Sequence, residues 1–214
     1  MSLEARLLRV LDPLDRPGTG QAAACSDYDL NPDMAVPEGV PLREAAVLVA
    51  VVMREVPTLL LTRRSDALAS HTGQVAFPGG RLDPGENAIE AALREAEEEI
   101  ALSPRVVQPL GLLSPYRTVT GYAVTPVVAS VGPDIELRPD PAEVAEVFEV
   151  PFDFLMNPEH HQRAHYDLDG GVRRWFWAMP YRDGTVERYI WGATAGMLRN
   201  LAERLARASG EVAA

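Results

Sequence analysis

The feature that most constrains the fold is a helix expected over residues 87–102, whose two faces have opposite character. Asn87 can cap the first turn, Glu90 stands at the capping-box position, and Pro104 ends the helix. One face carries small side chains that allow close packing against a sheet, namely Ala88, Ala91, Ala92 and Ala96. This packing should fix the helix against the sheet, so that the side chains on its opposite face keep fixed positions.

The other face of this helix carries Glu95, Glu98 and Glu99. Residues three or four positions apart share one side of a helix, so these carboxylates project together and repel one another. Hard divalent cations such as Mg²⁺ and Mn²⁺ prefer carboxylate oxygens. The cluster is a candidate metal site, but taken alone such a run is more often an ordinary solvated acidic face, so the spacing of the surrounding residues decides between the two.

An arginine next to this cluster cannot bind a metal, but its guanidinium can bind a carboxylate through two hydrogen bonds. Arg94 has two candidate partners, Glu86 in the preceding loop and Glu90 one turn earlier. We interpret Arg94 and Glu86 as braces between the loop and the helix.

The charged residues keep a fixed distance from a glycine upstream. Five residues separate Gly80 from Glu86, and seven more precede the run Arg-Glu-Ala-Glu-Glu-Glu at 94–99. This pattern resembles the Nudix box at every charged position. The resemblance implies a hydrolase of pyrophosphate bonds whose metals, Mg²⁺ or Mn²⁺, are bound by three carboxylates and the Gly80 carbonyl. These carboxylates belong to Glu95, Glu98 and Glu99.

The sequence departs from that box at Ala101, where the motif has glycine. A glycine there lets the helix end in a left-handed conformation, which costs an alanine about 1 kcal/mol. We expect this departure to affect how the helix ends and not the chemistry.

The residues before Gly80 form a second pattern, Leu-Leu-Thr-Arg-Arg-Ser at 60–65 and His-Thr-Gly-Gln-Val-Ala-Phe-Pro-Gly-Gly at 71–80. It resembles the signature of the coenzyme A pyrophosphatases. The resemblance implies that Gly73, Phe77 and Gly79 contribute to substrate binding. One departure is Ala69, where the signature usually has arginine, so a phosphate contact is missing or supplied elsewhere.

Two further residues of this segment can bind substrate. Neighbouring strand residues point to opposite faces, so only one of Arg63 and Arg64 should face the site, and we favour Arg63. His71 can bind a phosphate or stabilise its glycine-rich turn, and the two alternatives are equally supported.

Several histidines and aromatic residues could in principle bind a metal or a base, but a structural role explains most of them. His160, His161 and His165 lack accompanying zinc-type spacing and are expected in an exposed connection. Aromatic residues can stack on an adenine, although alternating residues of a strand more often serve the core. These aromatic residues are Trp175, Phe176 and Trp177, while Tyr116 and Tyr122 are candidates to line the pocket.

Strand signals surround the helix. Strands are expected at 45–52, 58–62, 74–77, 106–113, 123–131, 146–150, 172–179 and 186–191, with a final helix at 194–208. This order predicts an α+β fold, an α/β/α sandwich around a mixed central sheet. An N-terminal helix and irregular arm (1–43) should precede the catalytic domain (44–208), with a short tail (209–214) after it.

Composition limits the partners and the compartment. The formal net charge of −11 has the wrong sign for binding a nucleic acid polymer. The longest apolar run, at 45–53, is too short to span a membrane, and Cys25 is the only cysteine and cannot form an internal disulfide. We therefore expect a cytoplasmic protein that acts on a small molecule, with a homodimer as a possible assembly.

These patterns together predict hydrolysis of coenzyme A (CoA) to 3',5'-ADP and 4'-phosphopantetheine. An activated water should attack one phosphorus in line, with Glu95 as one candidate base. Two alternatives stay open: a hydrolase of ADP-ribose, NADH or dinucleoside polyphosphates, and a nucleotide-sensing domain without catalysis.

Overall fold

The computed structural model describes residues 1–15, 26–34, 39, 41–65, 73–168 and 170–210. The predictions made for Cys25, Ala69, His71 and most of the C-terminal tail lie outside these residues. Among the described residues, no helix is long and apolar enough to cross a membrane.

The described chain alternates helices and strands as follows. The α-helices are α1 (Leu3–Leu8), α2 (Ala88–Ile100), α3 (Phe152–Met156) and α4 (Ala193–Ser209). The strands are β1 (Arg43–Val52), β2 (Thr58–Arg64), β3 (Val75–Ala76), β4 (Gly79–Arg81), β5 (Val107–Leu112), β6 (Tyr116–Arg117), β7 (Tyr122–Val131), β8 (Val144–Pro151), β9 (Gln162–Asp167), β10 (Arg173–Asp183) and β11 (Val186–Trp191). Short 3-10 helices lie at Pro104–Val106 and Pro158–His160.

The central sheet has eight strands and is mixed. Its main order is β3-β2-β1-β7-β5, and β4, β6 and β8 pair with β1, β7 and β2 respectively. β1 runs parallel to β7 along its whole length and antiparallel to both β2 and β4. Because β1 pairs with β2 at one end and with β4 at the other, the sheet splits beside Gly79 and Gly80.

The two faces of the sheet carry separate cores, as the alternation of side chains along a strand requires. In β1, Leu48, Ala50 and Val52 pack with the alanines of α2, whereas Val49 and Val51 join the core that includes α4. Helices therefore flank a mixed sheet, which confirms the predicted α+β sandwich.

A second sheet of three strands, β11-β10-β9, lies outside this sandwich. The sequence predicted β10 and β11 but not β9, and it ended β10 at residue 179 where the strand continues to Asp183. β9 is almost entirely exposed, so it shows no apolar alternation by which a strand is recognised.

The N-terminal helix contributes to the main core through Leu7, which is fully buried. Further along, Asp12 forms an isolated bridge with Leu112 of β5, and Ser26 forms one with Arg117 of β6. The described parts of the N-terminal arm thus lie against the sheet.

Candidate active site

The helix α2 is built as its sequence predicts. The Asn87 side chain accepts hydrogen bonds from the backbone N–H groups of Ile89 and Glu90, and the Glu90 side chain accepts one from the Asn87 N–H. At the other end, Ala101 adopts the left-handed conformation with φ of 56°. The predicted capping box and the predicted left-handed alanine are both confirmed.

Arg94 connects the loop, the strand β4 and the helix. Its Nε and Nη2 donate to the two carboxylate oxygens of Glu86 at 2.9 and 3.0 Å, and Nη2 also donates to the Arg81 carbonyl at 3.0 Å. The hydrogen bonds to Arg94 lower the pKa of Glu86, and Glu86 in turn raises the pKa of Arg94. Of the two partners considered for Arg94, the structure has Glu86 as its bidentate partner.

Glu99 is a buried acid at the centre of the site. Only 5% of its surface is exposed, and its Oε2 accepts a hydrogen bond from the Gly79 N–H at 3.3 Å. Burial raises the pKa of Glu99 to about 8, the Gly79 N–H opposes this effect, and the neighbouring charge of Glu95 adds to it. A buried carboxylate of this kind is costly as an anion unless a cation compensates it.

Glu95 lies one turn earlier against the glycine pair. Burial is the main cause that raises its pKa, the hydrogen bond from Arg94 opposes it, and the charges of Glu98 and Glu143 reinforce it. A methyl group added to Gly80 would overlap the Glu95 carboxylate, and one added to Gly79 would lie 2.6 Å from the Val47 Cα atom. Gly79 is therefore required for the close approach of β4 to the backbone of β1, whereas a side chain at Gly80 would displace the Glu95 carboxylate.

Glu98 is the exposed member of the three carboxylates. Its side chain is 61% exposed and accepts a hydrogen bond from Arg94 Nη1 at 3.1 Å, and the same nitrogen donates to Glu95 at 3.0 Å. Accordingly, within the described part of the chain no three such side chains are grouped closely enough to hold a metal ion. The predicted carboxylates thus share one helix face but are not gathered into a metal-type cluster: Glu95 and Glu98 share Arg94 Nη1 as donor, and Glu99 accepts from the Gly79 N–H.

The donor set nevertheless fits a hard divalent cation. Glu95 and Glu99 are acids whose raised pKa values come first from burial, so a cation bound between them would remove the largest electrostatic penalty in the site. Carboxylate oxygens are the ligands that Mg²⁺ and Mn²⁺ prefer.

Two further charges act on these carboxylates, and of the two only Glu143 was not identified by sequence reasoning. Glu143, exposed just before β8, raises the pKa values of Glu95 and Glu99, and Arg64 lowers that of Glu99. Glu143 stands alone in a turn, more than forty residues from the helix, so no spacing in the sequence connects it with the box.

The two arginines considered for this site have different charged neighbours. Arg63 lies 3.8 Å from Glu146, and Arg64 is the charge that acts on Glu99. A register shift between the two arginines accompanies this arrangement. Among the described residues the buried Arg64 Nε has no hydrogen-bond partner. The choice of Arg63 for substrate binding stays a prediction.

The remaining predicted substrate residues occupy the segment that leads to Gly80. Gly73 has φ of 68° and donates its N–H to the Arg64 carbonyl at 3.3 Å, which closes the turn before β3. Phe77 is buried and lines a cavity of about 360 Å³.

This cavity lies between the central sheet and the three-stranded sheet. Its walls come from the segment before Gly80, from the turn between β6 and β7, from the start of α4 and from the three-stranded sheet. Aromatic residues are prominent in the wall: Phe77, Tyr166, Trp175, Phe176 and Trp191.

The other candidates have structural partners. His160 and His161 make hydrogen bonds to the carbonyls of Phe154 and Leu155 at 2.8 Å. The Tyr116 hydroxyl donates to Asp27 at 2.9 Å. His165 and Tyr122 contact other side chains: His165 packs on Trp175, and Tyr122 lies between Arg43 and Arg81.

Comparisons with known proteins agree with the fold and with the box. The NUDIX domain model matches residues 42–169. An uncharacterized Nudix hydrolase of Escherichia coli strain K12, NudL, is 46% identical over 166 residues, which cover 75% of this chain and 81% of that protein. The NudL protein of Shigella boydii serotype 18 matches to the same extent. The structure of a MutT/nudix family protein from Enterococcus faecalis has a similar fold, with a TM-score of 0.50 at 15% identity, over 82% of this chain and 66% of that one. The chain therefore belongs to the Nudix family.

Proposed function

We propose that this protein hydrolyses the pyrophosphate bond of coenzyme A with the help of Mg²⁺ or Mn²⁺. The observation that carries the reaction type is the set of carboxylates on α2, with Glu99 buried and Glu95 partly buried beside the glycine pair and Glu98 exposed on the same face. A divalent cation bound there would lower the pKa of a water and screen the charge that develops on the phosphate oxygens.

The protein's own residues have distinct parts in this reaction. Glu95, Glu98 and Glu99 would hold the cation, with the Gly80 carbonyl as a further oxygen donor. Arg94 and Glu86 fix the loop against the helix, so that the carboxylates keep their positions relative to β4. Because Glu98 is bound to Arg94 here, it must exchange that partner for the metal.

The chemical step is an in-line displacement at one phosphorus. A new bond forms between the water oxygen and that phosphorus, the bridging phosphorus–oxygen bond breaks, and the water proton passes to a carboxylate. Glu95 and the exposed Glu143 are the two candidate acceptors. The Arg64 guanidinium, whose charge lowers the pKa of Glu99, is a candidate to bind a phosphate oxygen through a charge-assisted hydrogen bond.

The choice of coenzyme A rests on the resemblance of the segments at 60–65 and 71–80 to the coenzyme A signature. Supporting this choice, only Phe77 and Pro78 separate β3 from β4, so the end of this segment can position a substrate at a fixed distance from the carboxylates. Ala69 removes one guanidinium of the signature, which should raise KM more than it changes specificity.

The test is a comparison of kcat/KM for CoA, dephospho-CoA, ADP-ribose, NADH and a diadenosine polyphosphate, in Mg²⁺ and in Mn²⁺, with products separated by chromatography. We expect CoA to be preferred and to yield 3',5'-ADP and 4'-phosphopantetheine. A tenfold preference for ADP-ribose or NADH would overturn the coenzyme A assignment. Inactivity on every substrate would instead favour a nucleotide-sensing domain.

A further inference from the structure

We propose that the aromatic cavity between the two sheets binds the nucleobase of the substrate. This inference rests on the proposed function, because it assumes a nucleotide whose pyrophosphate reaches the carboxylates of α2. The cavity has a volume of about 360 Å³ and opens beside the segment that leads to Gly80.

The first argument is the arrangement of three rings in the cavity wall. The ring centroids of Phe176 and Trp191 are 5.1 Å apart, those of Tyr166 and Phe176 are 5.8 Å apart, and both pairs are tilted. Tyr166 is exposed and the other two side chains are partly exposed, so part of each ring surface is accessible to a ligand. Clustered, accessible aromatic rings are the usual surface on which a base stacks.

The second argument is the charge of the cavity. Its two charged residues in the described chain are Asp27 and Arg174, whose side chains form an ion pair at 3.2 Å. A phosphate would need uncompensated positive charge, which this pair does not provide. The charge of the cavity wall therefore matches a neutral planar ring better than a phosphate group.

The third argument concerns the polar groups of the wall, which largely bind one another. The hydroxyls of Thr118 and Thr120 lie 2.9 Å apart, and the Thr194 hydroxyl donates to the Val75 carbonyl at 3.2 Å. A flexible chain of amides, such as the pantetheine arm, needs many partners for its own polar groups. The wall therefore suits a base better than it suits that arm.

The cavity also has a direct connection to the reaction site. Phe77 lines the cavity only two residues before Gly79, whose N–H binds Glu99. Two residues of chain span at most roughly 7 Å. Val47, another wall residue, pairs with Gly79 across β1 and β4. A base in the cavity would thus place the attached phosphates toward the carboxylates.

The N-terminal arm holds this wall in place. The Asn31 side chain accepts a hydrogen bond from the Trp175 N–H at 2.8 Å and donates to the Trp175 carbonyl at 2.9 Å. Asp27 binds Arg174 and also accepts a hydrogen bond from the Val119 N–H at 3.0 Å. Because these contacts join the arm, β10 and the turn before β7, the cavity is formed before the substrate binds.

The experiment compares Tyr166→Ala with the matched control Tyr189→Ala. Both tyrosines are exposed on the three-stranded sheet, at 37% and 43%, but only Tyr166 lines the cavity. The probes are 3',5'-ADP and AMP, which carry adenine, and ribose 5-phosphate and 4'-phosphopantetheine, which do not. Dissociation constants are measured by titration calorimetry in the presence of Mg²⁺.

Tyr166→Ala should raise the dissociation constants of both adenine probes about tenfold, as expected for loss of one stacked ring. The dissociation constants of the two probes without adenine should not change. Tyr189→Ala should change none of them. Weaker binding of 4'-phosphopantetheine alone would assign the cavity to the other arm, and unchanged binding of the adenine probes would show that the cavity is not a base site. Failure of the proposed function would appear separately, as an absence of CoA hydrolysis by the unmodified protein.

Discussion

Replacing Glu99 by glutamine should stabilise the metal-free protein at alkaline pH while removing most of its activity. Glutamine has nearly the same shape, and its side-chain oxygen can still accept the hydrogen bond from the Gly79 N–H. It cannot carry the buried negative charge. The variant therefore isolates the electrostatic cost of this one carboxylate.

The size of the effect follows from the pKa of Glu99, which burial raises from 4.5 to about 8. A carboxyl whose pKa is higher in the folded state favours folding while it is protonated, so this stability is complete below pH 4.5 and is lost as the pH rises to about 8. Each pKa unit corresponds to about 1.4 kcal/mol, which makes the upper limit about 5 kcal/mol at pH 9. At pH 5.5 the difference should be only about 1.4 kcal/mol.

The assay is urea denaturation in EDTA at pH 5.5, 7 and 9, with Glu97→Gln as the control. Glu97 is exposed on the same helix, so its replacement should leave the pH dependence of stability unchanged. The stability gained by Glu99→Gln should grow by about 3 kcal/mol between pH 5.5 and pH 9. A gain that does not change with pH, or greater stability of the unmodified protein at pH 9, would refute the argument that Glu99 is an uncompensated buried acid.

Four further predictions follow from the same geometry. Ala101→Gly should raise the free energy of unfolding by about 1 kcal/mol, because only a glycine adopts the left-handed cap without strain, and a thermal melt that shows a loss would contradict this. Arg94→Lys should lower stability by about 1–3 kcal/mol together with kcat, since an ammonium cannot replace the two parallel hydrogen bonds to Glu86; unchanged denaturation midpoints and rates would argue against a brace. Ala69→Arg should lower KM for CoA by about tenfold, as expected for one charge-assisted contact, without changing the melting temperature. Mg²⁺ or Mn²⁺ should raise the melting temperature of the unmodified protein and do so less in Glu98→Gln, as calorimetric scans with and without EDTA would show.

Local features of the sequence predicted the helix α2 in detail. Its cap, its glutamate face, its alanine face and its left-handed end depend on residues within about fifteen positions of one another. The pairing of Arg94 with Glu86 was also predictable, because only the cap and the first turns of α2 separate the two residues. Propensity and spacing suffice when the interacting groups are close along the chain.

Contacts between distant segments could not be predicted in this way. Glu143 reaches the site only because β8, which it precedes, pairs with β2. β9 gave no signal because an exposed polar strand has no apolar alternation. The cavity wall depends on Asn31 binding the backbone of Trp175, and the two residues are separated by 144 positions.

The central claim is that the carboxylates of α2 hold a divalent cation that drives hydrolysis. Its most direct test is the rate of CoA hydrolysis as a function of Mn²⁺ concentration for the unmodified protein, Glu98→Gln and the control Glu97→Gln. Glu98 is 61% exposed, so its replacement should leave the protein folded. We predict saturable Mn²⁺-dependent turnover in the unmodified protein and in Glu97→Gln, with turnover lowered by at least about a hundredfold in Glu98→Gln. Near-normal turnover by Glu98→Gln, or full activity of the unmodified protein in EDTA, would contradict the account.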